Sequence, residues 1–311
     1  MASRLDFLAL GEALVEFNQA DAHDPRRFLQ GFGGDTSNAA IAAARLGVRA
    51  GYASRVGRDA FGRMLRDLWR AEGVDAGAVA EDPDAPTGVY FVSHGPTGHE
   101  FSYLRAGSAA SRLAPANLPL AAIRDTRILH LSAISQAISP SACDACFAAI
   151  ETARSAGVRV SYDTNLRLKL WPLARARAIV TATLGLADWV VPSLDDAIVL
   201  FEHDAPEAIV DACHARGARL VVLKLGPAGC LVSDGTRREH VPGLSVAAVD
   251  ATGAGDCFAG AFAARMLAGD DPFVAARYAN AAAALATTGY GAVAPLPRDG
   301  AVRALFATAP A

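Results

Sequence analysis

The sequence predicts an α/β protein, a three-layer α/β/α sandwich around a mostly parallel central sheet, with a small β-sheet projecting from it as a lid. Two observations predict it. Short apolar runs bounded by turns alternate with Ala-rich stretches of helical period along most of the chain. Strands that read as nearly continuous apolar runs are those covered by helices on both faces. One segment, 87–105 (TGVYFVSHGPTGHEFSYLR), breaks the alternation with two β-rich arms around His94-Gly95-Pro96-Thr97-Gly98. That is the pattern of a hairpin with a longer turn.

Taken from the N-terminus, Phe7–Leu10 (FLAL) is the first buried strand. An extended stretch at 13–17 follows it and 27–32 returns from it. Together with the hairpin these can form a small projecting sheet, a lid from segments 12–32 and 87–106; an edge hairpin of the main sheet is the alternative, and periodicity does not separate the two. Ala and Ile recur on a helical period at 35–46, a strand follows at 49–54 and a helix at 61–72. Ile128–Ser132 is the next apolar strand, and Ser139-Pro140 opens a helix at 140–156. Strands at 158–163, 189–192 and 220–224 then alternate with helices at Leu173–Leu184 and 206–216. After Lys224 come two short β-like pieces, 230–233 and 240–242, and two helices, 255–268 and 272–288. This helix-rich end supports a site at the carboxyl ends of the parallel strands, where open α/β sheets bind ligands. No repeat or long linker interrupts the 311 residues, and 52% hydrophobic content suffices for one large core. A single domain over 1–311 is therefore expected.

A formal net charge of −3, with no Lys/Arg-rich run, argues against nucleic acid as a partner. The start, MASRLDFLALGEALVEF, has no long apolar segment before Asp6. No stretch reaches the roughly 18 uninterrupted apolar residues of a membrane span, so a cytoplasmic protein without a membrane partner is expected. Five cysteines, odd in number and scattered, fit a reducing compartment. Cys143 and Cys146 form a CxxC but share a helical apolar face with Phe147 and Ile150. No second CxxC or CxxH lies nearby, so packing is their expected role. The common phosphate loops are missing too. There is no GxxxxGK[ST]; the decoy at 57–63 has Arg63 and Met64 where Lys and Ser/Thr are required, and no GxGxxG follows a strand.

The most informative stretch is 249–258, VDATGAGDCF. It passes from extended chain through a small-residue turn into a helix. Gly253 and Gly255 let the backbone approach a ligand. Their amides and that of Ala254 can point together at an anion, joined by the unpaired N–H groups and positive dipole end of the helix start. Asp256 stands at that start, where a carboxylate beside a phosphate cradle accepts the proton of an attacking hydroxyl. The plain alternative is a helix capped by Thr252 with Asp256 favourable in its first turn; local chemistry leaves both open.

Asp250-Ala251-Thr252-Gly253-Ala254-Gly255-Asp256 resembles the C-terminal signature of ribokinase-like carbohydrate kinases, D-x-x-G-A-G-D. Gly33-Gly34-Asp35-Thr36-Ser37-Asn38-Ala39-Ala40, followed by ARLG at 44–47, resembles the upstream signature. Gly57-Arg58-Asp59-Ala60-Phe61-Gly62 matches the family's GxDxFG turn. The three stand in the family's order, and the likeness runs from Leu10-Gly11-Glu12 to Gly291. It implies a ribokinase-like sandwich with a β lid, ATP and Mg2+ as cofactors, Asp256 as the base, and Gly253, Ala254 and Gly255 as the anion hole. It further implies nucleotide contacts from Lys224, Gly226 and Gly229 in the loop KLGPAG, from Asn280 near adenine, and from Asn165 and Lys169 on the phosphates. Ser193-Leu194-Asp195-Asp196 stands where many members carry N-x-x-E around magnesium. This departure leaves Ser193 beside the nucleotide and Asp196, or its neighbour Asp195, to hold the metal through water. A homodimer through the lid is a further implication.

The stretch 101–111 (FSYLRAGSAAS) resembles the lid segment of 2-keto-3-deoxygluconate kinases, with an aromatic and an arginine before Gly-Ser-Ala. The stretch 163–171 (DTNLRLKLW) is similar to their D-x-N-x-R-x-x-L-W, and GYGAVAPLP at 289–297 points the same way. The resemblance implies a sugar-acid substrate phosphorylated at its terminal hydroxyl. Arg105 and Arg167 would be forked donors to the carboxylate, and Tyr90 and Tyr103 would bond hydroxyl or keto oxygens. Gly34, Asp35 and Asn38 would meet the hydroxyl end. A fructokinase is the competing reading, because such kinases share the core motifs. A catalytically silent sugar-sensing protein on the same scaffold is the third.

Overall fold

The computed structural model describes residues 4–21, 24–95 and 98–307. Among these, thirteen strands occur in chain order: β1 (Phe7–Leu10), β2 (Leu14–Asp21), β3 (Asp24–Gly33), β4 (Ala50–Gly57), β5 (Asp75–Asp82), β6 (Val89–Gly95), β7 (Gly98–Leu104), β8 (Ile128–Ser132), β9 (Arg159–Asp163), β10 (Trp189–Val190), β11 (Val221–Lys224), β12 (Gly229–Ser233) and β13 (Arg238–Pro242). Nine form the central sheet in the order β13-β12-β11-β10-β9-β8-β1-β4-β5. From β11 to β5 every neighbour is parallel, and β12 and β13 add an antiparallel edge.

The apolar runs are continuous because each central strand serves two cores. Phe7 and Ala9 of β1 join Ile41, Trp69 and Phe262 on one face; Leu8 and Leu10 join Leu129, Ile150 and Tyr162 on the other, as a period of two requires. Cys143 and Cys146 are buried in the helix Pro140–Ser155, in keeping with a packing role. The chain runs from β1 outward to β4 and β5, then returns to β8 on the far side of β1. That reversal is a switch point, and a crevice opens there at the carboxyl ends of the strands.

The second sheet, β3-β2-β6-β7, pairs β2 with β6 in parallel and is otherwise antiparallel. One face rests on the body, where Phe17 stacks on Phe91 at 5.3 Å and meets Phe61 edge-on at 5.8 Å. The other carries a ladder of Tyr90, Tyr103 and Phe101, with Tyr90 and Tyr103 stacked at 5.5 Å. These strands correspond to the expected lid segments; the turn residues Pro96 and Thr97 lie outside the described residues.

Apart from short 3-10 turns, five elements were not anticipated, three of them the helices Leu120–Arg124, Ala133–Ala137 and Asp299–Phe306. β5 (DAGAVAED) is an edge strand of small and charged residues without an apolar run, and the helix Leu194–Phe201 begins inside the S-x-x-D segment. β10 is shorter than expected because Pro192 cannot donate to a ladder; only a bridge from Ser193 to Lys224 continues it. Among the described residues no helix is long and apolar enough to cross a membrane.

The helices Asp35–Arg45 and Ala254–Ala268 pack closely because small residues line both. A Cβ at Gly260 would lie 2.4 Å from the Ala39 carbonyl oxygen and 3.0 Å from Ala42 Cβ. Their N-termini thereby meet over the crevice. Gly260→Val should therefore cost about 1–3 kcal/mol by overpacking, lowering the melting temperature by about 3–10 °C. It should also lower kcat by parting the two helix starts. An unchanged melting curve would show that this contact does not set the helix spacing.

Candidate active site

Four carboxylates and one ammonium gather where the strands end. Asp163 closes β9 and Lys224 closes β11. Lys224 Nζ donates to Asp163 Oδ2 at 2.7 Å, with only 14% and 5% of the two side chains exposed. The other Asp163 oxygen accepts the Asn165 N–H at 3.1 Å, and Asn165 Nδ2 reaches Asp35 Oδ2 at 3.4 Å.

The 249–258 turn is built by Asp250. One of its oxygens accepts the N–H and hydroxyl of Thr252 at 2.9 and 2.7 Å, and the other accepts the Gly291 N–H at 2.9 Å. Thr252 is thus spent on the turn and does not cap the helix. The N-cap is Gly253, at φ 77°, a left-handed conformation that glycine adopts without penalty. A Cβ there would also lie 2.8 Å from the Ala292 carbonyl oxygen. Lys224 Nζ sits 3.3 Å from where a Cβ on Gly255 would be. The Ala254 N–H donates to the Ala251 carbonyl at 3.2 Å, so it is the amides of Gly253 and Gly255 that stand with the ammonium at the helix start, a place that suits an anion.

Asp256 lies in the first turn of that helix and accepts a hydrogen bond from Asn38 Nδ2 at 2.8 Å. Burial first, then the nearby charge of Asp35, pushes its proton affinity up to about 8; Asp163 adds to this, while Asn38 and Lys224 oppose it. A carboxylate tuned toward neutrality is suited to general base work. Asp35 is itself raised by burial, against the Ser132 hydroxyl bond that favours its charge. Asp35 Oδ1 and Asn38 Oδ1 are buried without partners, open acceptors for ligand hydroxyls.

At the lid root, Glu12 is buried, pairs with Arg105 Nη2 and accepts the Ser108 hydroxyl at 2.7 Å. Burial outweighs Arg105 and raises the proton affinity of Glu12. Arg105 Nε is buried without a partner. The Tyr90 hydroxyl donates to Glu16 and lies 2.5 Å from where a Cβ on Gly33 would be. Gly34, at φ 121°, packs so tightly on the Glu12 carbonyl that a Cβ would approach it to 2.5 Å. Tyr103 is exposed beside Tyr90.

The remaining residues divide. Asp196 accepts the Leu166 N–H at 3.0 Å and the Ser193 hydroxyl bond, and burial raises its proton affinity. Arg167 is exposed but close enough for its charge to act on both Asp35 and Asp196. Gly226, at φ 59°, faces open space. Gly229 is accounted for by the fold, since a Cβ would lie 2.1 Å from the Val241 carbonyl oxygen. Asn280 Nδ2 is committed to the carbonyls of Val241 and Pro242 at 3.1 Å each, pinning β13. Lys169 is exposed and is not among the contacts that join the cluster. Sequence reasoning gave no role to Asp163, Glu12, Glu16 or Ser132, although Asp163 opens the D-x-N-x-R-x-x-L-W segment; Glu12 and Ser132 are polar residues at or just past the end of an apolar run, and Glu16 interrupts one.

Among the described residues no three His, Cys, Asp or Glu side chains form a metal cage. The acids present instead fit magnesium, which keeps several waters and is held largely by substrate phosphates. Asp35, Asp163, Asp196 and Asp256 repel one another, and a cation would relieve this.

Residues 5–299 match the profile of the pfkB family carbohydrate kinases. A 2-dehydro-3-deoxygluconokinase of Thermoproteus tenax is 36% identical over 306 residues, covering 95% of this chain and 93% of that one. Fructokinase-2 of Oryza sativa subsp. japonica is 34% identical over 304 residues, covering 93% and 90%. An E. coli structure in complex with ATP and Mg2+, provisionally designated ribokinase II, superimposes with a TM-score of 0.89 at 28% identity over 97% and 99% of the two chains. The chain belongs to the pfkB family of carbohydrate kinases and has the ribokinase-like fold.

Proposed function

We propose that this pfkB-family carbohydrate kinase transfers the γ-phosphoryl group of ATP to the terminal primary hydroxyl of 2-keto-3-deoxygluconate. The observation that carries the acid-sugar reading is Arg105, a guanidinium at the lid root with a buried Nε that has no partner. A substrate carboxylate would fill that donor, and Arg167, exposed and close enough to act on Asp35 and Asp196, is a second cation. Tyr90 and Tyr103 offer aromatic cover and a phenol, and Asp35 and Asn38 offer acceptors to the sugar hydroxyls.

In the reaction the hydroxyl oxygen bonds to the γ-phosphorus as the bond to the β–γ bridging oxygen breaks, and ADP leaves. The hydroxyl proton passes to Asp256. The amides of Gly253 and Gly255 receive the charge on the transferring group, joined by that of Ala254 once it leaves the Ala251 carbonyl; such donors each contribute about 10²–10³ in rate. Magnesium, held by the phosphates with Asp196 reaching it through water, would neutralise phosphate charge. Lys224 and Gly226 adjoin the phosphate end. Closure of the lid would exclude water, the competing acceptor. A homodimer would cover the exposed Leu29, Phe101, Tyr103 and Leu104 of the lid.

Two observations favour a neutral sugar. Glu12 already neutralises part of the Arg105 charge, and fructokinases are similar to this chain at nearly the same identity. A coupled ADP-release assay with Mg-ATP and 2-keto-3-deoxygluconate, 2-keto-gluconate, fructose, ribose and adenosine decides. We expect kcat/KM for the keto-deoxy acid to exceed that for fructose by about 10²-fold or more, the discrimination of a site built for one polar group. A preference for fructose would discard the acid-sugar reading and keep the kinase.

A further inference from the structure

We propose that Asp163 is a positioning residue, whose carboxylate holds the Lys224 ammonium beside the Gly253-Ala254-Gly255 turn so that this cation meets the transferred phosphoryl group. The inference rests on the reading of the chain as a phosphoryl-transfer enzyme, and not on which sugar it uses.

Lysine carries a compact charge on a flexible stem, so its position is set by what holds it. Lys224 and Asp163 end strands separated by β10, and their side chains meet across that strand at 2.7 Å while almost wholly buried. The second Asp163 oxygen is fixed by the Asn165 amide, which leaves the carboxylate little freedom to turn. The ammonium is thereby held 3.3 Å from the Cβ position of Gly255. A Cβ at residue 255 would press on it and make it give by a few tenths of an ångström, so the turn and the lysine lie in close contact. Held by Asp163, the ammonium is in place before any phosphate arrives, and it can lean toward the phosphoryl group as negative charge enters the turn. The same pair borders the base. Asp256 faces Asp35 and Asn38 of one helix, Asp163 of β9, Lys224 of β11 and Tyr90 of the lid. Asp163 strengthens and Lys224 weakens its hold on a proton.

The test compares wild type, Lys224→Met, Asp163→Asn and the double variant, assayed on whichever of 2-keto-3-deoxygluconate or fructose the wild type turns over. Lys224→Met should lower kcat by about 10²-fold, the scale of one donor to developing charge, with the sugar KM unchanged. It should move the acid limb of the pH–rate profile upward, and Asp163→Asn should move it downward. The double variant should be no slower than Lys224→Met, because Asp163 acts through the lysine. Where Asp163→Asn alone is too unstable to assay, that last comparison suffices. Calorimetry of the free enzyme should show Lys224→Met losing affinity for ATP more than for ADP. A double variant slower than Lys224→Met, or an Asp163→Asn deficit erased by added Mg2+, would make Asp163 an independent or metal-linked group and overturn the proposal. Should the wild type turn over no sugar, the kinase reading fails, and equal losses of ATP and ADP affinity in Lys224→Met would overturn this one separately.

Discussion

Asp256→Asn should reduce kcat by about 10²–10⁴-fold, the range attributed to a positioned general base, while ATP and sugar still bind. Asparagine keeps the size of the side chain and retains an oxygen for the Asn38 Nδ2 donor now 2.8 Å away; what it loses is a place for the proton. The pH dependence follows from the same residue. The base must be unprotonated, and burial with Asp35 places its titration at about 8, so kcat/KM of the free enzyme should climb with pH through that value. Asp35→Asn removes the largest charge opposing ionisation and should move the midpoint downward. Stability carries the opposite sign. Between the ordinary carboxylate value of 3.8 and about 8, the native state holds a proton that the unfolded chain has lost. The native state is therefore destabilised progressively as pH rises across that interval. Asp256→Asn should flatten this slope. A folded Asp256→Asn enzyme with kcat within tenfold of wild type would remove Asp256 from the chemistry.

The parallel sheet was legible because Phe7–Leu10 and Ile128–Ser132 are apolar at every position but His130 and Ser132, and only two covered faces explain such runs. His130 looks like an exception, yet it is buried, stacks on Phe7 at 5.5 Å and bonds Ser161 at 3.0 Å. Its proton affinity falls to about 4, mainly by burial, so it packs as a neutral ring. The turn at 249–258 was legible too, although its cap was not. Thr252 is a good cap by residue type, but Asp250 competes for its hydroxyl, and no spacing rule foretells which wins. The pairs Lys224–Asp163 and Arg105–Glu12 were out of reach for a different reason. Each joins residues 61 or 93 positions apart through strand ends that only the sheet order brings together. Local pattern and motif resemblance therefore named individual candidate residues, while the partners that set their charge came from topology.

That distinction governs what Arg105 should do when removed. Read from sequence alone, Arg105→Met is a specificity change; in the structure it also strands the Glu12 carboxylate, whose side chain is 1% exposed. Leaving one member of a buried pair typically costs about 3–5 kcal/mol, though Glu12, already raised toward neutrality by burial, can offset part of this by taking a proton. Arg105→Met should thus lower the melting temperature by about 10 °C at neutral pH and less at acid pH, where Glu12 is neutral. It should also lower kcat/KM for 2-keto-3-deoxygluconate by about 10²–10³-fold, as loss of a buried charge contact does, and for fructose far less. Adding Glu12→Gln separates the two effects. Glu12→Gln/Arg105→Met should recover most of the melting temperature, because no stranded charge remains, yet stay deficient on the acid sugar. If the double variant instead regains the acid sugar, Arg105 serves the lid root alone, and the carboxylate is read by Arg167 or not at all. If both variants lose fructose and the keto-deoxy acid equally, the lid root positions any sugar and Arg105 carries no specificity.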